Sequence, residues 1–336
     1  MIKNLVYICV FYNKDYFKLL NLLLTSLKFY STTDNFDILI LTHDSMIKNV
    51  QELSTKLKLN LLIKTFNFTT IFQAACARLF IFDYHLINNY EKILYIDTDI
   101  IIKKDLNIIF NLNIGNQLYG IQSGNISNLS FGRQFFNFDK INPNTSGINS
   151  GTLFFKNIQC IRDLFSRING HIQAFTDSKE IVPYCMDQPF INYHAIILGM
   201  YNNILLNPYV SLYEDNDIVT NYNTSIICHF SYPIGNFLHK FDRMKKFFNQ
   251  ILNEEISNNF ILDKKKYLWN NGFIEFDNSK VITTWGSGES KVLNKNKVLV
   301  CWNNFNHILK LDNESKNYMS VRIKPMDFEV VFGVEN

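Results

Sequence analysis

An apolar run at residues 5–12 is followed by a stretch in which Tyr16, Leu19, Leu20, Leu23, Leu24 and Leu27 recur at helical spacing. This pattern predicts a strand over 5–12 and a helix over 14–30. The alternation continues with a strand at 36–42, a helix at 45–57 and a strand at 60–66. Next come an amphipathic helix over 74–87 that carries Arg78, a polar turn at 88–91 and an apolar strand at 92–96. A polar, Asn-rich excursion over 124–147 precedes a strand at 149–155, with helices over 159–168 and 187–198. Strands that are apolar on both faces and separated by amphipathic helices belong in a mostly parallel sheet covered on both sides. From Phe273 onward the texture changes. Short β-rich runs at 280–284, 297–302, 307–311, 319–323 and 328–332 alternate with turn residues, which predicts a small antiparallel sandwich or barrel. The expected domains are 1–265 and 272–336, divided near 264–271.

One of the apolar strands is broken by charge. In Tyr95-Ile96-Asp97-Thr98-Asp99-Ile100-Ile101-Ile102 two carboxylates interrupt a β-branched run. A buried strand has no structural use for them, because each charge costs several kcal/mol unless it is paired or bound to metal. At spacing i, i+2 at a strand end, both can approach one hard divalent cation, and that cation can hold the two phosphates of a nucleotide. In a parallel sheet the carboxyl ends of the strands are also where ligands gather. No G-x-G-x-x-G or Walker sequence is present. Other polar residues are ambiguous by themselves. His229 ends the apolar run Ile226-Ile227-Cys228-His229-Phe230 and reads alone as a hydrogen-bonded core histidine. Arg78 reads as a surface ion pair, Asp187 as a helix cap, Asn149-Ser150-Gly151 as a tight turn, and Phe11 and Tyr12 as buried strand aromatics.

Taken in order, these motifs form a resemblance. The Arg78-Leu79 helix, the strand end Tyr95-Ile96-Asp97-Thr98-Asp99 and the following Lys103-Lys104-Asp105-Leu106 resemble family 8 retaining glycosyltransferases of the glycogenin and lipopolysaccharide galactosyltransferase type. Asn149-Ser150-Gly151, Met186-Asp187-Gln188 and His229 extend it over residues 1 to about 245. The resemblance implies a GT-A-like fold and a UDP-sugar donor such as UDP-glucose or UDP-galactose. It implies Mn²⁺ or Mg²⁺ held by Asp97, Asp99 and His229, and transfer with retention to a glycan, protein or lipid-linked acceptor. It places Phe11 and Tyr12 beside the uracil, and Arg78, Asp97, Thr98, Asp99, Asn149, Ser150 and Gly151 at the nucleotide-sugar. Gly235 and Lys240 fall at the diphosphate, Asp187 at a sugar hydroxyl and Gln188 near the anomeric carbon. The segment from His229 to Lys240 is longer than the family's H-x-x-G-x-x-K, which makes His239 an alternative to Lys240. Two other classes remain open: a metal-dependent sugar-nucleotide hydrolase or nucleotidyltransferase, and a catalytically lapsed glycan-binding protein that uses Trp285 and Trp302.

Composition narrows the setting. The 336 residues suggest about two domains, and 47% apolar content is ample for burial. A net charge of +3 makes no case for nucleic acid. No apolar run is long enough for a transmembrane helix, and 5–12 is too short for a signal peptide, so a cytoplasmic location is expected. The 6 cysteines are scattered without a C-x-x-C pair, which reads as free thiols in a reducing compartment. Over 237–248, Lys240, Arg243, Lys245 and Lys246 interleave with Phe241, Met244, Phe247 and Phe248. An interfacial helix in weak contact with a membrane surface would look like this, but an ordinary helix packed on the first domain is the preferred reading. The abundance of Asn, Ile and Lys resembles translation from an AT-rich genome. Whether the chain forms a homodimer is left open.

Overall fold

The computed structural model describes residues 3–11, 13, 15–178, 183, 185–213, 224–231, 237–254, 265–269, 272–277, 280–294, 297–312 and 317–334. The chain separates into two compact units, Met1–Phe237 and Leu238–Asn336.

In the first unit, strands β1 (Lys3–Val10), β2 (Phe36–Thr42), β3 (Leu61–Thr65) and β4 (Tyr90–Ile96) run parallel in the order β3-β2-β1-β4. Parallel neighbours cannot be joined by a hairpin, so the chain crosses over through helices α1 (Tyr16–Tyr30) and α2 (Ile47–Leu57). The leucine face anticipated for α1 is buried: Leu19, Leu20, Leu23, Leu24 and Leu27 are all sealed from solvent. Segment 70–83 departs from the expected long helix. A capping box, Thr70 with Gln73, starts only a short α3 (Ile71–Ala75), and a run of 3-10 turns follows from Cys76 to Asp83. The reason is tertiary. The Tyr7 hydroxyl donates to the Arg78 carbonyl (3.0 Å) and Asn169 Nδ2 to the Leu79 carbonyl (3.1 Å), so outside donors replace helical ones.

After β4 the chain leaves the main sheet. Strand β5 (Ile100–Ile102) begins a second, three-stranded sheet, and α4 (Asn107–Phe110) leads back. Strand β6 (Leu118–Asn125) and strand β7 (Ser146–Lys156) then extend the main sheet, with β7 antiparallel to both β4 and β6. Helix α5 (Gln159–Asp177) lays Ile161, Leu164, Phe165 and Ile168 against Tyr7, Ile93, Tyr95 and Phe155 in one core. Helix α6 (Gln188–Ile197) and the short edge strand β8 (Tyr201–Asn202) follow. Finally β9 (Val210–Leu212) and β10 (Ile227–His229) complete the small sheet in the order β5-β10-β9. Most neighbours in the main sheet are parallel, as the apolar strands implied.

The second unit begins earlier than the change in texture suggested. Helix α7 (Phe237–Glu254) belongs to it, with the Phe248 and Phe328 rings 5.2 Å apart. Met244, Phe247, Phe248, Ile251 and Leu252 are buried, so the apolar side of α7 is covered and does not lie open to lipid. Eight strands follow, each antiparallel to the next: β11 (Lys265–Trp269), β12 (Gly272–Asp277), β13 (Lys280–Thr283), β14 (Gly286–Asn294), β15 (Lys297–Trp302), β16 (Phe305–Leu311), β17 (Asn317–Lys324) and β18 (Val330–Val334). The sheet curls until β18 meets β11. An added Cβ on Gly333 would lie 2.2 Å from the Leu268 carbonyl, which also accepts from the Tyr318 hydroxyl at 3.2 Å. Tyr267, Trp269, Ile274, Phe276, Val300, Trp302, Leu309 and Tyr318 fill the interior. Trp302 therefore serves the core, 7% exposed, whereas Trp285 is 48% exposed. All six cysteines are free, and among the described residues no helix is long and apolar enough to cross a membrane.

His307 lies inside this unit, stacked on Trp302 (4.9 Å) and bonded through Nδ1 to the buried Ser320 hydroxyl (2.7 Å). Burial, helped by nearby Arg322, pushes its pKa down from 6.5 to about 3. A histidine kept neutral in the folded state contributes stability above its unfolded pKa, and that contribution falls as the unfolded chain takes up the proton. The unit is expected to lose up to about 1.4 kcal/mol per pH unit between pH 6.5 and 3. All 3 tryptophans lie in this unit, so thermal melts followed by tryptophan fluorescence across that range will measure the loss.

Candidate active site

The site grows from the end of β4. Side chains two apart on a strand share a face, so Ile93, Tyr95 and Asp97 point the same way. Tyr95 pairs in register with Tyr7 on β1, their rings 4.9 Å apart, which brings Asp97 to the carboxyl end of the parallel strands. Asp97 N–H donates to the Gly151 carbonyl on β7 (2.9 Å). The chain then turns through the buried Thr98 into β5.

The departure into β5 recruits His229. Strand β10 lies antiparallel to β5 with His229 opposite Ile100, and Phe230 N–H donates to the Asp99 carbonyl (2.9 Å). His229 Nε2 consequently faces both carboxylates, 3.3 Å from Asp99 Oδ1 and 3.9 Å from Asp97 Oδ2. The donor atoms of Asp97, Asp99 and His229 lie within 4.8 Å of one another. The imidazole is 2% exposed, and its other nitrogen, Nδ1, is buried with no hydrogen-bond partner among the described residues. Two carboxylate oxygens and one imidazole nitrogen converging in a half-buried recess suit a divalent cation of the Mn²⁺ or Mg²⁺ kind, and the residues fit it. Gly151 makes the recess possible. A Cβ there would sit 2.2 Å from His229 Cε1 and 2.7 Å from Asp97 Oδ2.

Behind the recess, Arg78 is 9% exposed and engaged on several sides. Its Nε lies 2.9 Å from Asp187 Oδ2, and its Nη1 lies 3.5 Å from Asp97 Oδ1 and donates to the Ser150 carbonyl at 2.5 Å. The guanidinium carbon sits 4.5 Å from the centre of the Tyr95 ring. Burial opposes the charge on Arg78, but Asp187 and Asp97 outweigh it and hold the group well above its usual range. Burial raises the Asp187 carboxyl to about 6, against the pull of Arg78. Tyr95 is likewise raised by burial, so its hydroxyl stays protonated and donates to Asp97 Oδ1.

Helix α6 starts at the same place. Gln188 Oε1 accepts from Ser150 N–H (3.0 Å), while its Nε2 donates to the Ser130 carbonyl (2.9 Å) in the excursion between β6 and β7. Asn149 Oδ1 accepts from Gly151 N–H (2.9 Å) within β7, where the pairing with β6 shifts register, and the strand starts earlier than the 149 expected. One turn along α6, the buried Asn192 bonds both the N–H (2.7 Å) and the carbonyl (2.9 Å) of Ile148. Phe11, half-buried just past β1, has its ring 5.5 Å from Phe68. Tyr12 and Gly235 lie outside the described residues. Lys240 and His239 lie on α7 in the second unit. The structure therefore gathers Arg78, Asp97, Thr98, Asp99, Asn149, Ser150, Gly151, Asp187, Gln188 and His229 around the strand end.

Sequence reasoning missed Tyr95, Tyr7 and Asn192. Tyr95 carried a signal, being two residues before Asp97 and hence on its face. Tyr7 and Asn192 carried none, because their partners are main-chain groups remote in sequence.

Gly151→Ala is expected to lower stability by about 1–3 kcal/mol through overpacking and to weaken Mn²⁺ binding, both readable by denaturant titration and manganese titration. Arg78→Met leaves Asp187 buried without its cation. It is expected to cost about 3–5 kcal/mol, measured as a shift of the denaturation midpoint at constant slope.

Comparison with known proteins is consistent with this geometry. Residues 7–193 match the family described as Glycosyl transferase family 8. Among solved structures, the galactosyltransferase LgtC in complex with donor and acceptor sugar analogs aligns over 72% of this chain and 94% of its own, at 14% identity and TM-score 0.50. The apo structure of the bifunctional glycosyltransferase WbbM aligns over 72% of this chain at 14% identity and TM-score 0.51. The alignment spans about half of WbbM's own length, 49%. At that identity the likeness shows the fold, which is GT-A. No curated protein matches the sequence. With the family matched over more than half of its length, and the fold shared with known members, this chain belongs to glycosyl transferase family 8 and is a glycosyltransferase.

Proposed function

We propose that the protein is a metal-dependent retaining glycosyltransferase that moves a hexose from a UDP-sugar, such as UDP-glucose or UDP-galactose, to a glycan or protein acceptor. The observation that carries the reading is the convergence of Asp97, Asp99 and His229 at the carboxyl end of the parallel strands. These three would hold Mn²⁺ or Mg²⁺. When bound, the cation supplies positive charge against the diphosphate that leaves the sugar.

The protein's own groups do the rest. Phe11 flanks the base at the end of β1. The backbone of Asn149, Ser150 and Gly151, with no side chain at Gly151, lets the sugar approach the strand closely. Arg78 holds Asp97 and Asp187 in place between β4 and the start of α6. Gln188 is held from both ends by Ser150 and Ser130, so its amide is fixed beside that cradle. A neutral amide is a poor nucleophile, which favours attack of the acceptor hydroxyl on the face the diphosphate leaves. The bond from the anomeric carbon to the phosphate oxygen breaks with its electron pair going to that oxygen. The acceptor oxygen bonds to the same carbon, and its proton passes to the departing phosphate. Net configuration is retained, and no strong protein base is required.

A panel of sugar nucleotides incubated with and without Mn²⁺ tests this reading. UDP release that needs the metal is expected. Release of UMP or pyrophosphate would instead favour a hydrolase or nucleotidyltransferase. Asp97→Ala and Asp99→Ala are each expected to abolish metal-dependent UDP binding by calorimetry, and unchanged binding in either would refute the assignment.

A further inference from the structure

We infer that the Tyr95 hydroxyl is a positioning group for the metal site: it claims one oxygen of Asp97 and so leaves the other, Oδ2, as that residue's single donor to the cation. The inference rests on the metal-site reading above and extends it to a residue outside the ligand set. Asp97 Oδ1 faces the interior, where it accepts from the Tyr95 hydroxyl and lies 3.5 Å from Arg78 Nη1. Asp97 Oδ2 faces the recess, 3.9 Å from His229 Nε2 and pointing at the space beside Gly151. The two oxygens of one carboxylate therefore meet different surroundings, one a donor and a cation fixed in the protein, the other the open ligand position.

The hydroxyl can impose this because the ring that bears it cannot turn away. Tyr95 is 1% exposed, its ring lies 4.9 Å from Tyr7, and the Arg78 guanidinium covers it at 4.5 Å. Tyr7 in turn donates to the Arg78 carbonyl at 3.0 Å, locking the segment that carries the guanidinium. A carboxylate with one oxygen occupied by a neutral donor is restricted in orientation. Hydrogen bonds of this kind to a ligand commonly change metal affinity by about 10- to 100-fold. Without the hydroxyl, Asp97 would rotate toward Arg78 or chelate through both oxygens, and the geometry shared with Asp99 and His229 would be lost.

The test is Tyr95→Phe, which keeps the ring and its stacking and removes only the hydroxyl. Mn²⁺ affinity of the full chain, free of nucleotide, is read from the electron paramagnetic resonance signal of unbound Mn²⁺. Asp97→Ala and a metal-free thermal melt run alongside. The inference expects Tyr95→Phe to bind Mn²⁺ about 10- to 100-fold more weakly than the unaltered chain but more tightly than Asp97→Ala, with a metal-free melt close to that of the unaltered chain. Affinity within twofold of the unaltered chain would overturn it, as would a weakening matched by an equal loss of metal-free stability. If the unaltered chain and Asp97→Ala bind Mn²⁺ alike, the metal-site reading itself fails, and the role of Tyr95 fails with it.

Discussion

A buried guanidinium between two aspartates is the contact on which the site depends. Arg78 is 9% exposed, and taking such a charge from water costs several kcal/mol unless its partners are close and well placed. Asp187 lies 2.9 Å from Nε, while Nη1 lies 3.5 Å from Asp97 and donates to the Ser150 carbonyl. The fork of the guanidinium suits this use, because one rigid plane can address three acceptors that come from three different elements. Strand β4, strand β7 and the start of α6 are thereby tied to one point. That tie fixes two acidic side chains from different elements against one cation.

A second constraint is one of space. The recess between Asp97, Asp99 and His229 exists because β7 carries Gly151 where any other residue would push a methyl group into the imidazole. The small sheet supplies the complementary half. By pairing β10 antiparallel to β5, it delivers a histidine from a remote part of the chain to the end of the strand that bears the aspartates. Backbone hydrogen bonds at Asp97 and Phe230 hold the two halves in register. Three donors then converge without any one of them having to reach.

Much of the architecture was legible in the chain. The apolar patterns located β1, β2, β3, β4, α1 and α2 within a few residues, whereas α5, expected over 159–168, runs on to Asp177. The acidic pair stood out because nothing in a buried strand accounts for it. The segment around Arg78 was misjudged as one long helix: its periodicity is helical, yet side chains from β1 and α5 satisfy its carbonyls and break it into 3-10 turns. Helix α7, expected to pack on the first domain, groups with the second unit instead. Helix α7 has the amphipathic pattern of any packed helix, and pattern alone does not say which unit it packs in.

Local sequence thus determined the elements, the parallel character of the first sheet, the β-rich character of the second unit and the presence of two aspartates at a strand end, because those properties depend on neighbours within one or two turns. Tertiary structure alone decided that His229 joins them, that Arg78 is buried against Asp187 and not exposed on a helix face, and that Tyr95 holds one oxygen of Asp97. Each of these is a contact between elements remote in sequence, set by sheet order and strand register, and neither leaves a mark in local periodicity.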